Sequence, residues 1–167
     1  SWLTTRGVSD FSPFDQWRSA MSLQTLEKDA FAVRAGDISR DIFFIHSGLL
    51  RLFYTSAEGK ERNKAFYGPG QVAGAVSAAI TAKAATFDIQ ALEPSVLVRA
   101  DFNQIYQHAY RNTDTSRVII ALLAEAFIRN EQREAMLLTL SAEQRYQWLL
   151  DKEPELVKSL PQFHIAS

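Results

Sequence analysis

Between Leu23 and Arg99 the chain is cut into short apolar stretches by turn residues at close, regular intervals. That spacing suits many short strands and leaves no room for a long helix. Leu23 to Val33 alternates roughly, with Leu26, Phe31 and Val33 on the apolar side, and predicts one strand. The turn Arg34-Ala35-Gly36-Asp37 precedes an apolar run, Ile42 to Ile45, and Gly48 separates this from Leu49 to Tyr54. Ser56-Ala57-Glu58-Gly59 predicts a hairpin turn, with Glu61 to Tyr67 as the return strand. After a segment rich in glycine and alanine, Phe87 to Leu92 and Val96 to Arg99 supply two more strands. The fold class implied is mainly β with helices, a sandwich or jelly roll.

Helical signals flank this block. Ser12-Pro13-Phe14-Asp15 offers an N-cap serine, a proline at the first helical position and an early acid, predicting a short helix to about Met21. Asp101-Phe102-Asn103-Gln104 and Ser141-Ala142-Glu143-Gln144 are capping boxes, each opening a helix. Between them a longer helix is expected from Thr113 to about Leu138. Its centre, VIIALLAEAFI, is apolar almost all round, so covering one sheet would leave a wet apolar face. Ile119, Leu122, Leu123, Ala126 and Phe127 are therefore placed in two contacts, one with the sheet and one with a second copy.

Composition narrows the function classes. At 167 residues the chain is long enough for one domain with an appendage, and its net charge of −1 gives no basic footprint for nucleic acid. It has no cysteine, which removes thiol catalysis, disulfides and thiolate metal sites. No signal-peptide pattern opens it, and the apolar run Val118 to Ile128 falls well short of the ~20 residues a bilayer needs. A cytoplasmic protein without membrane contact is the expectation. His46, His108 and His164 lie far apart and are assigned to the surface or to helix ends, so no metal is expected. No nucleophile elbow, P-loop or carboxylate pair is present, which argues against an enzyme, and no cofactor is expected.

The ordered motifs resemble the Crp/Fnr family, bacterial transcription regulators with a cyclic-nucleotide-binding-like sensory domain. Val33-Arg34-Ala35-Gly36-Asp37 is similar to the family's apolar-x-x-Gly-Asp/Glu turn, and Ile42 to Leu52 to its strand, glycine, strand pattern. Gly59-Lys60-Glu61 matches its hairpin. Gly70-Gln71-Val72-Ala73-Gly74-Ala75-Val76 occupies the place of its Gly-Asp-Phe-x-Gly-Glu-Leu stretch. The helix after Thr113 resembles the family's dimerisation helix. Leu140 to Arg145 resembles the entry to its DNA-binding domain, and Ile165-Ala166-Ser167 the first turn of a helix-turn-helix. The resemblance implies a jelly-roll sensory domain with flanking helices over residues 1–112, a dimerisation helix over 113–140 and an incomplete DNA-binding domain over 141–167. It implies a homodimer, with DNA contacted by the full-length protein through a recognition helix lacking here, and the sequence is expected to be truncated.

In family members that bind cyclic nucleotides, a glycine-glutamate pair and a later arginine-serine/threonine pair hold the ligand. The glycine lets backbone N–H groups approach the phosphate, the glutamate accepts from the ribose hydroxyl, and the arginine forks onto phosphate oxygens. By position Gly74 keeps the glycine, Ala75 stands at the glutamate, Ala85 at the arginine, and Thr86 keeps the hydroxyl. A hydrogen bond to a charged group is worth about 1.5–3 kcal/mol, so two missing contacts lower affinity by about 10²–10⁴. Lys83 would replace the arginine poorly, and Lys64, on the preceding strand, is another candidate cation. Ligand contacts are accordingly expected at Lys64, Gly74, Ala75, Val76, Ala85, Thr86 and Phe87. Asn130, in a charged stretch expected to face solvent, would join them from the long helix. Two readings stay open for Tyr67 to Leu92: small residues packing a short helix on the roll, or a pocket for a less charged small molecule. The expected function is a sensory and dimerisation portion with a degenerate pocket, or else a stand-alone ligand-binding or interaction module.

Overall fold

Trp17 lies buried in a 3-10 helix, Ser12–Ala20, that runs straight into the first strand. The structure, a computed structural model, describes residues 12–152. Eight strands follow. They are β1 (Met21–Leu26), β2 (Phe31–Val33), β3 (Asp41–Ser47), β4 (Leu50–Thr55), β5 (Glu61–Tyr67), β6 (Val72–Gly74), β7 (Asp88–Ala91) and β8 (Ser95–Asp101). They pair as β1 with β8, β2 with β7, β3 with β6 and β4 with β5, all antiparallel. Such nested pairs are one long hairpin folded over on itself, which makes the jelly roll expected from the strand spacing. Its two sheets have the orders β1-β8-β3-β6 and β2-β7-β4-β5.

Alternation supplies the core between the sheets. Phe43 and Ile45 of β3, Leu50 and Leu52 of β4, Ile89 and Ala91 of β7 and Leu97 of β8 form one buried cluster. The single strand predicted from Leu23 to Val33 is two strands in different sheets. Asp29, at φ 68°, bends the chain between them, and Ala30 N–H donates to Glu27 O at 3.1 Å. Asp29 N–H also donates to Ala91 O at 2.8 Å, so the corner is held without glycine or proline.

The β3–β4 turn does require glycine. Gly48 has φ +97°, and a Cβ there would lie 2.1 Å from Ser95 Oγ. On the β4–β5 hairpin, Arg51 is 3% exposed despite its charge. It is paired with Glu61 at 2.7 Å, bonded to Asn63 and stacked 4.0 Å from the Phe53 ring centre. A guanidinium held by all three is compensated for its lost water.

Helices α1 (Val76–Thr81), α2 (Phe102–Ala109), α3 (Thr113–Thr139) and α4 (Ala142–Lys152) complete the described chain. Asp101 caps α2, accepting from Gln104 N–H at 3.0 Å. Before α4 the box is reciprocal: Gln144 N–H donates to Ser141 Oγ at 3.3 Å, and Ser141 N–H to Gln144 Oε1 at 2.9 Å. Compact units divide at Ile119 and Ile120, inside α3. The first contains the roll. The second contains the rest of α3 and α4, and in it Ile120, Phe127 and Ile128 are exposed. Among the described residues no helix is long and apolar enough to cross a membrane. Ile165-Ala166-Ser167 and His164 lie outside the described residues.

Candidate functional site

The segment from Gly68 to Phe87 is built from tight backbone contacts. Gly70, at φ +78°, turns the chain, and its N–H donates to Ile45 O at 2.9 Å. Gln71 Oε1 accepts from Gly68 N–H at 2.8 Å, closing the turn from the other side. β6 then runs along β3, with Gly74 opposite Ile42. A Cβ on Gly74 would sit 2.7 Å from Ile42 Cγ2 and 3.2 Å from Asp41 O. Gly74 is thus fixed by the close approach of two strands, with or without a phosphate beside it.

Ala75 caps α1 with no side-chain hydrogen bond, and Ala78 and Ala79 are the helix's buried residues. The helix ends at Ala82 in the left-handed conformation, φ 54°. Beyond it Ala85 is clasped by the β2–β3 turn: Ala85 N–H donates to Asp37 O and Gly36 N–H to Ala85 O, both at 2.8 Å. Ala75 and Ala85 are 2% and 3% exposed and belong to the central core cluster.

A cavity of about 120 Å³ lies along this segment. Of the residues expected from sequence, Ala75, Thr86 and Phe87 line it. Sequence reasoning missed Ser77, Ala78, Thr81 and Ala84 as lining residues, and Lys83, weighed only as a substitute cation, lines it too. Ala75, Ala78 and Thr81 are spaced i, i+3, i+6, the one pattern that would have marked them as a shared helix face. Lys64 is one contact away, its Nζ 5.5 Å from the Phe87 ring centre and 5.8 Å from that of Tyr54. Those two rings meet edge to face at 5.7 Å. Val76 is half-buried at the start of α1, and Gly74 and Ala85 serve the packing just described. Asn130 is exposed on α3, in the second unit.

Chemically this is a small site with hydroxyls, one lining ammonium and an aromatic wall. Drug-sized ligands occupy roughly 300–1,000 Å³, so a cavity of about 120 Å³ is too small for a nucleotide as it stands. Among the described residues no group of histidines and carboxylates could hold a metal ion. His46 is exposed and His108 lies in the last turn of α2.

Comparison with known proteins agrees with the fold. The family model for the cyclic nucleotide-binding domain matches residues 23–112, more than half of the chain. The catabolite activator protein of Thermus thermophilus has a similar structure, with TM-score 0.65 and 21% identity over 93% of this chain and 72% of that one. FixK2 from Bradyrhizobium japonicum gives TM-score 0.69 and 15% identity over 81% of this chain and 67% of that one. The sensor domain of the transcriptional regulator DNR from Pseudomonas aeruginosa gives 0.64 and 21%, covering 84% and 91%. No curated protein matches the sequence.

Proposed function

Because the chain belongs to the cyclic nucleotide-binding domain family, we propose that it is the sensory and dimerisation portion of a Crp/Fnr-type transcription regulator whose cassette is not an ordinary cyclic AMP site. The burial of Ala75 and Ala85 carries this reading. At the positions where the family's glutamate and arginine would reach the ligand, methyl groups are packed into the core. The small adjoining cavity supports the same conclusion.

The regulatory half of the reading rests on the order of elements and on structural neighbours such as the sensor domain of the transcriptional regulator DNR. A long helix, α3, follows the roll, with apolar side chains exposed along it. Pairing with a second copy would cover them. DNA contact would come from a helix-turn-helix beyond α4 in the whole protein, set in position by the state of the dimer.

Calorimetry of the purified chain against cyclic AMP and cyclic GMP tests the sensory claim. No saturable heat is expected at micromolar ligand. A Kd tighter than about 1 μM, about −8 kcal/mol, overturns it.

A further inference from the structure

The cavity beside α1 has an apolar body. Ala75, Ala78 and Ala84 contribute methyl groups to its lining and Phe87 a ring. Thr81 lines it too, but its hydroxyl is spent inside the helix, donating to Ser77 O at 2.7 Å. An apolar space of roughly 150 Å³ takes benzene. One of about 120 Å³ therefore takes an aliphatic body of about four carbons.

The charges around that body are of one sign. Lys83 lines the cavity and is exposed, as are Ser77 and Thr86, which places all three at its mouth. Lys64 is half-buried, with its Nζ 5.5 Å from the centre of the Phe87 ring. Among the described residues no carboxylate pairs with either lysine, and none lines the cavity. Asp88, next to Phe87 in the chain, gives Oδ1 to the Ala35 N–H at 3.1 Å instead. Two ammonium groups without a counter-ion beside an apolar hollow favour an anion with a short apolar tail.

We infer that this cavity binds a short-chain aliphatic monocarboxylate, its head toward Lys83 and Lys64 and its alkyl chain over Ala75 and Ala78. The inference rests on the reading of a cassette that is not an ordinary cyclic AMP site, and it names the ligand class such a cassette still suits. The Ser77 and Thr86 hydroxyls can donate to the carboxylate oxygens at the mouth. An amine of the same length would meet like charge, and an alcohol would leave both lysines unanswered.

The test is an NMR titration of the ¹⁵N-labelled chain with n-butyrate, n-butanol, n-butylammonium and cyclic AMP. Saturable shifts are expected with butyrate, centred on the backbone amides of Ser77 and of Ala84 to Phe87. Butanol should bind about tenfold more weakly, and the amine should give no saturable shift. Lys83→Met, at an exposed position, should fold and weaken butyrate about threefold. Adding Lys64→Met, which keeps the stem packed on the rings, should abolish saturation. Lack of saturation by about 10 mM butyrate overturns the inference. So does an equal response to butanol, or unchanged affinity in the double variant. Those failures leave the degenerate-cassette reading standing, whereas saturable cyclic AMP shifts at micromolar ligand overturn that reading and this inference with it.

Discussion

Ala75 and Ala85 are almost wholly enclosed in the core cluster, although Ala75 also borders the small cavity. Placing Glu at the first or Arg at the second buries a charge without a partner. Each change should cost about 3–5 kcal/mol, read as a lower urea midpoint, and neither should create cyclic AMP binding. A variant Ala85→Arg that kept its stability and bound the nucleotide would contradict the degenerate-cassette reading. Gly48→Ala should be as damaging, about 3 kcal/mol or more, because backbone strain at positive φ adds to overlap with Ser95. Gly74→Ala should also destabilise, since the added Cβ would meet Cγ2 of the buried Ile42 at 2.7 Å and backbone atoms at 3.2 Å. The glycine requirement at Gly48 and the hydroxyl at Thr86 could be seen in the residue types alone. The burial of Ala75 and Ala85 could not, because alanine carries no periodic signal and its burial depends on strands far away in sequence.

Elements were the most legible level, where local chemistry decides. Both capping boxes read from Asp101/Gln104 and Ser141/Gln144 formed hydrogen bonds, since each depends on residues three apart. The β1–β2 corner was hidden because Asp29 adopts a left-handed conformation without the glycine that usually signals one. Ser141→Ala should weaken α4 by about 1 kcal/mol, seen as faster amide exchange in its first turn. The β4–β5 hairpin offers a sharper case. Arg51→Ala removes the partner of Glu61 and Asn63 and leaves a hole beside Phe53. It should cost about 3 kcal/mol. Arg51→Met, which keeps most of the volume, should cost clearly less in the same denaturation assay. Equal losses would mean that the charge, not the packing, dominates.

At the scale of the whole molecule, the apolar surface of α3 is the outstanding issue. Ile119 and Leu122, expected in its two contacts, are already buried in the single chain, whereas Phe127 is 67% exposed. Leu123 and Ala126 are half-buried. Ile120, Leu123 and Phe127 follow an i, i+3, i+7 spacing, one stripe of a helix. If a second copy covers that stripe, Phe127→Glu should cost the dimer about 2 kcal/mol or more per protomer and leave the roll folded. Light scattering after size exclusion measures this, and a wild-type chain that is monomeric at high concentration removes the dimer from the proposal. The paired hydrogen bonds between Ala85 and the Gly36–Asp37 turn have a kinetic corollary. Neither strip of backbone can peel away without releasing the other, so the Gly36 and Ala85 protons should trade with deuterium at one shared rate. A single clock would then time the opening of both the segment before β7 and the β2–β3 turn.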